Sequence, residues 1–280
     1  MINIFRLAKV VILTFLVLIL MSLFVGCSSE GIEDEESKEK SETEETEEVK
    51  SQPVDGVDSD GLEGGGLIFS FDDGYRTDYE VVYPILESRD LKAVTYISPI
   101  FIDEKVEEYM SWEQVKELDE AGWDVEDHTY SHPNLTELTK DQIHEEMQKV
   151  DEVLTERGLD IPKHHAFTHG EFNDDVKDVV FSYRKTARTV ENDLNTFPLD
   201  DEDDYIIIDA VDMAIHSKES IEDFINRAVE ENKLLVLFTH DVQEEPYEYG
   251  IETEKFKSVV DYAIDKGINI MTMSDLMEIQ

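Results

Sequence analysis

Two carboxylates stand side by side at the end of an apolar run, where Leu67-Ile-Phe-Ser-Phe71 leads straight into Asp72-Asp73-Gly74. Asp-Gly is ordinary turn chemistry and leaves both acids in water. Delivered to one place by a buried strand, the same pair can divide labour, one carboxylate holding a metal and the other taking a proton. Histidines accompany it. His128-Thr-Tyr-Ser-His132 sets two imidazoles four residues apart, a spacing that suits two ligands on one metal, and Pro133 biases His132 away from regular helix. The apolar run Leu234–Phe238 ends in Thr239-His240-Asp241, a histidine at the tip of a buried strand. His164-His165-Ala166-Phe167-Thr168-His169-Gly170 runs into a glycine turn and could supply a ligand, a backbone amide for a developing oxyanion, or neither. Taken singly, each histidine group is also compatible with a surface or structural role.

The elements that must position these groups follow from periodicity. Strands are expected at Leu67–Phe71, Ala93–Ile97, Trp123–Val125, His164–Thr168, Thr186–Val190, Tyr205–Ile208, Leu234–Phe238 and Asn269–Met271. Amphipathic stretches near 78–89, 111–121, 139–157, 173–182, 217–231, 252–266 and 274–279 alternate with them. Ser111-Trp-Glu-Gln114 and Thr139-Lys-Asp-Gln142 are capping boxes, and Gly122, Gly158 and Gly267 fall where helices should stop. Regular strand–helix alternation implies a parallel sheet with helices outside. Residues 67–280 hold seven or eight such units, which favours a single α/β barrel, somewhat shorter than a full (β/α)8 barrel. Every chemical motif then follows a strand, at the end where parallel barrels gather their functional loops. One carboxylate with two histidines leaves coordination positions open on a metal, as hydrolysis requires. The second carboxylate can act as base and a separate histidine as acid.

Three ordered motifs resemble the polysaccharide deacetylase family (the NodB-homology domain, carbohydrate esterase family 4). They are Ser70-Phe-Asp-Asp-Gly74, His128-Thr-Tyr-Ser-His132 and Leu235-Val-Leu-Phe-Thr-His240, and the likeness runs from Leu67 to about Met273. The resemblance implies a distorted (β/α)7-8 barrel that removes acetyl groups from an N-acetylated, N-acetylglucosamine-type polysaccharide or oligosaccharide. O-acetyl esterase action on xylan-like glycans and a non-catalytic, metal- and glycan-binding surface role are the alternatives. It further implies that Asp73, His128 and His132 hold a divalent metal, usually Zn2+, with Co2+, Ni2+, Mn2+ or Fe2+ as substitutes. Asp72 would be the general base, His240 the general acid, and the backbone N–H of His169 an oxyanion donor. The family's third motif, Arg-Pro-Pro-Tyr-Gly in many members, is replaced before Gly170, so the arginine that orients the base is expected to be missing. Glu126 and Asp127, just before the first metal histidine, are expected to add negative charge at the site mouth. The fourth-motif acid would be Asp209 or Asp212.

Ahead of this domain the chain reads as an address. Arg6 and Lys9 precede a mostly apolar stretch to Val25, the layout of a signal peptide over residues 1–26. Leu23-Phe-Val-Gly-Cys27 resembles a lipoprotein cleavage box, so Cys27, the single cysteine, is expected to be lipidated and to anchor the exported chain to the outer face of the membrane. Residues 27–66 are expected to form an acidic tether too poor in apolar residues to order itself, leaving 67–280 as the catalytic domain. The chain carries 68 acidic against 24 basic residues, a net charge of −44, and the tether accounts for only part of it. Such a charge excludes nucleic acid as a natural partner. Oligomeric state has no signature in the sequence. An acidic surface of this density suits a saline medium, where the screening length shrinks from about 10 Å at 0.1 M salt to about 3 Å at 1 M. The expected outcome is a melting temperature that rises with salt; a maximum in dilute buffer, with loss of structure in molar salt, would exclude the halophilic reading.

Overall fold

A computed structural model describes residues 62–200 and 205–280. The expected signal peptide, Cys27 and most of the acidic tether lie outside the described residues. The strands are β1 (Gly66–Asp73), β2 (Val94–Ile97), β3 (Asp124–Asp127), β4 (His164–Ala166), β5 (Thr186–Arg188), β6 (Ile206–Ile208), β7 (Val211–Asp212), β8 (Leu234–Thr239), β9 (Val242–Gln243), β10 (Ile251–Glu252) and β11 (Asn269–Ile270). The main sheet is parallel throughout and runs β6-β5-β4-β3-β2-β1-β8-β7, with β11 joining the start of β1. Helices follow the strands and cover the sheet, giving a curved (β/α) half-barrel where the alternation led to the expectation of a single barrel short of a full (β/α)8.

Strand parity sorts the core into an inside and an outside. Along β1, Leu67, Phe69 and Phe71 face the helices, packing with Phe256, Val259 and Leu118. Ile68 faces the barrel interior with Val94, Tyr96, Ala166, Ile206, Ile208, Val236 and Phe238. Asp72 therefore continues the interior row and Asp73 the exterior one. Their divergence is what lets neighbouring acids serve different partners.

Helix ends are as local signals predict. Ser111 and Thr139 form reciprocal capping boxes with Gln114 and Gln142 at the starts of helices Trp112–Glu120 and Lys140–Glu156. The stretch expected to be one helix over 78–89 is instead a wide π-type turn, Asp78–Val82, followed by the short helix Tyr83–Glu87 with Pro84 in its first turn. Strand β3 extends further than its apolar letters indicate, because Glu126 and Asp127 find partners on β4. The folded part also begins earlier than Leu67. Leu62 is buried, and Gly65 (φ +77°) lies so close to the helix Lys218–Glu231 that a Cβ there would stand 2.5 Å from the Ala228 carbonyl oxygen. The glycine run is thus a packing contact with that helix as well as the end of a linker.

Candidate metal and catalytic site

Asp73 sits at the last position of β1 with φ +72°, followed by Gly74 at φ +79°. This left-handed pair swings Asp73 off the exterior row and toward the sheet's C-terminal edge, and the absence of a Cβ at Gly74 keeps the turn clear of Ile97. Asp73 meets both histidines of the second motif there. His132 Nε2 lies 3.2 Å and His128 Nε2 3.6 Å from Asp73 Oδ1. One ligand atom from each of the three residues falls within 4.8 Å of the others, the single such group of His, Cys, Asp or Glu among the described residues.

The surroundings leave these atoms free to act as ligands. His128 Nδ1–H donates to the Ala166 carbonyl at 2.8 Å, so its Nε2 presents a lone pair toward Asp73. Asp73 Oδ1 is buried, and the polar atoms nearest to it are the Nε2 atoms of His132 and His128. Burial opposes ionisation of Asp73, but the approach of His132 and the fields of His128, His132 and His240 outweigh it and hold the carboxyl at about 2. Burial depresses His128 to about 4, so it is neutral at physiological pH. Burial also works against charge on His132, yet contact with the Asp73 carboxylate raises it above the ordinary 6.5. In the protonated form of His132 the proton lies between imidazole and carboxylate, where a cation would sit. The donor set fits a divalent metal of the zinc type.

Asp72 is buried and belongs to a different partner. Its Oδ2 accepts from Arg188 Nη2, while its Oδ1 has no partner. Arg188 is 2% exposed, its guanidinium lying 4.4 Å from the Phe238 ring centroid and 5.5 Å from that of Tyr96, with Nη1 donating to the Thr189 carbonyl. This corrects the expectation that the base-orienting arginine is missing. Ala166, four residues before Gly170, stands where the motif would begin with arginine, and Ala166 is the register partner of Arg188 on the adjoining strand. The guanidinium reaches the interior from β5 instead of β4. A lone arginine in the strand Thr186-Ala-Arg188 was the only signal in the sequence.

His240 follows β8, with Nε2 4.0 Å from Asp73 Oδ2 and its Nδ1 facing the Tyr249 carbonyl at 3.3 Å. Asp241 holds the loop that supplies this carbonyl, accepting from Gln243 Nε2 and the Tyr247 amide. Asp212, on β7 beside β8, shares the electrostatic field of His240, Asp72 and Arg188, and burial raises its carboxyl above the ordinary range. Asp209 is engaged elsewhere, accepting from Thr189 Oγ1 while its amide donates to Asn195. Of the two fourth-motif candidates, Asp212 is the one at the site.

The His164–Gly170 stretch separates into two fates. His164 and His165 are core residues, the first neutralised by burial at about 3 and paired with Thr186, the second bound to Asp127. His169 adopts φ +58° and its exposed ring packs edge-on against His132 at 4.7 Å between centroids. Glu126 and Asp127 are not at the mouth. Glu126 is buried under the amides of Lys163 and His164, and Asp127 is fully buried beside Arg184.

With this geometry in view, the comparisons are concordant. Residues 62–187 match the sequence profile of the polysaccharide deacetylase family. The match covers the first part of the described fold, from Leu62 to β5. A putative polysaccharide deacetylase of Bacillus subtilis (strain 168), YxkH, is 35% identical over 81 residues, which are 29% of this chain and 28% of the relative's length. A family 4 carbohydrate esterase from Streptomyces lividans, solved with acetate, superposes with a TM-score of 0.50 at 19% identity, over 74% of this chain and 91% of that one. A family 4 acetyl xylan esterase from Clostridium thermocellum, solved with a cobalt ion, gives 0.54 at 15% identity, over 76% of this chain and 90% of that one. At these identities what the two structures share with this chain is the fold.

Metal uptake must displace the His132 proton, so affinity for Zn2+ should rise with pH through the raised His132 pKa, above 6.5, and level off beyond it. In the metal-free protein the His132–Asp73 contact has the opposite trend. His132, raised above its unfolded value, contributes stability in full below about pH 6.5 and loses it as pH climbs through the folded pKa. Asp73, lowered to about 2 from 3.8, contributes above the higher value and loses it on acidification. Zinc titrations from about pH 5 to 9 check the first trend, and melts of the chelated protein from about pH 2 to 9 check the other two.

Proposed function

We propose that this chain is a metal-dependent hydrolase that removes acetyl groups from N-acetylglucosamine-type glycans. The observation that carries the reading is a division of partners between adjacent acids, Asp73 facing two histidines and His240 while Asp72 is gripped by Arg188. The esterase solved with acetate and the one solved with cobalt are consistent with an acetyl substrate and a divalent ion.

Asp73, His128 and His132 would hold the ion, which supplies Lewis acidity toward water and the acetyl carbonyl. Asp72 keeps its Oδ2 on Arg188 and offers the unpartnered Oδ1 to the proton of the attacking water. The ion pair fixes the carboxylate's rotamer, so that it accepts a proton without first reorienting. The Tyr249 carbonyl holds the Nδ1–H of His240, so Nε2 is where the ring takes up a second proton, and the imidazolium formed in that way would give this proton to the departing amine nitrogen. The backbone N–H of His169, at the left-handed turn beside His132, would donate to the developing oxyanion. Asp212, on β7 beside β8, lies within the field of His240.

We further propose that the chain is exported and held at the membrane by a lipid on Cys27, a reading supported by the basic-then-apolar leader. Among the described residues, no helix is long and apolar enough to cross a membrane. Cys27→Ser should release the protein from the membrane fraction into the medium; retention in that fraction would exclude the lipid.

Acetate release from N-acetylglucosamine oligomers should exceed that from acetylxylan, and a chelator should abolish it. Asp72→Asn should cost about 100-fold or more in kcat while zinc content stays unchanged, because the general base is lost and the metal ligands are not. Arg188→Met should reduce kcat in the same direction with smaller effect. Release from acetylxylan alone would assign an O-acetyl esterase, and zinc binding with no release from either would assign a binding protein. Undiminished release by Asp72→Asn would overturn the assignment of the base.

A further inference from the structure

We propose that Asp127, clamped by Arg184 and His165 on the helix side of the sheet, is a positioning residue that sets the backbone carrying both metal-binding histidines. The inference rests on the reading of Asp73, His128 and His132 as a metal cradle. It assigns a task to charges that this cradle does not itself employ.

Asp127 ends β3 on the exterior row and is 0% exposed, as is His165, while Arg184 is 3% exposed. Its Oδ2 accepts from Arg184 Nε at 3.0 Å and from His165 Nδ1 at 2.9 Å. Arg184 Nη2 continues to Asp151 on the helix Lys140–Glu156 at 2.7 Å. The remaining oxygen, Oδ1, accepts the backbone N–H of Thr129 at 2.7 Å.

That last bond is where the cluster meets the site. Thr129 has φ +63° and His132 φ +56°, left-handed conformations that are costly for a β-branched residue and uncommon for histidine. Nothing in the sequence His128-Thr-Tyr-Ser-His132 favours them, so hydrogen bonds must impose them. Asp127 takes the Thr129 amide, and the Thr129 hydroxyl takes the His132 amide at 3.0 Å. His128, between Asp127 and Thr129, gives its Nδ1–H to Ala166, the residue next to His165. The chain of contacts therefore runs from the Arg184 ion pair to the backbone of both ligands. A buried ion pair serving only stability can be exchanged for apolar side chains at little loss. This one cannot, because an apolar side chain would leave the Thr129 amide without an acceptor.

The test is metal affinity by competition with a chelating dye, together with the visible spectrum of the Co2+-loaded protein. Asp127→Asn can still accept from Thr129, but its amide nitrogen then faces two donors, so the side chain must tilt or flip. The expected result is a Zn2+ Kd weaker by about 10–100-fold and an altered Co2+ spectrum in folded protein. His165→Leu removes one of the bonds holding Asp127 and should weaken binding several-fold. His165→Asn restores a donor near the Nδ1 position and should recover most of the loss. A purely structural role would lower the melting temperature of the metal-free protein and leave Kd and spectrum unchanged. Folded Asp127→Asn with a Kd within twofold of wild type overturns the inference. If that variant does not fold, the His165 pair decides, and equal affinity for Leu and Asn overturns it. Wild-type protein that binds neither Zn2+ nor Co2+ overturns the cradle itself, and this inference with it.

Discussion

Two negative charges on neighbouring residues, both taken out of water, are the constraint around which this molecule is arranged. Unit charges about 4 Å apart interact by about 4 kcal/mol at an effective dielectric of 20, comparable to much of a domain's net stability. Asp72 and Asp73 are 3% and 7% exposed, so solvent does not relieve them. Each needs its own counter-charge, and strand parity gives each its own direction. Asp72 continues the interior row and meets Arg188 from β5, and Asp73 leaves the exterior row through a left-handed turn to meet histidines from β3 and β8.

The arrangement explains why the acids are chemically unequal despite adjacency. A carboxylate with one oxygen on a guanidinium and the other unpartnered is oriented and ready to accept a proton. A carboxylate amid imidazoles, held at about 2, is a ligand that stays charged. A further tier of charge, Asp127 with Arg184 and His165, lies on the opposite side of the sheet and governs the turn rather than the chemistry. Charges thus occupy both faces at the C-terminal edge, inner ones at the candidate site and outer ones at the backbone.

What could be read in the sequence was what is local. The runs that became β1 and β8 are long, apolar and bounded, and the capping boxes at Ser111 and Thr139 specify helix starts within four residues. Asp72, Asp73, His128, His132 and His240 lie in contiguous motifs, so their convergence followed once strand ends were placed. Arg188 was not readable, because its partner is 116 residues away and joined to it only by sheet register. Glu126 and Asp127 were misplaced for a related reason. Two acids after the short stretch Trp123-Asp-Val125 look like a loop, yet amides of Lys163 and His164 and the side chains of His165 and Arg184 draw them into β3. Asp212 could be separated from Asp209 only by the short strand β7, two residues long and without a periodic signature.

The pairing of Ala166 with Arg188 has a wider consequence. Parallel strands in register present side chains in rows, each row crossing the sheet with neighbours about 4.8 Å apart. A long, flexible cation can therefore move sideways along a row, from one strand to the next, and still deliver its guanidinium to the same point. Here the donor position is small and the acceptor position carries the charge, so what is preserved is the row. In a fold of this kind the unit of functional inheritance is a layer of the barrel, which a linear motif samples at one column only.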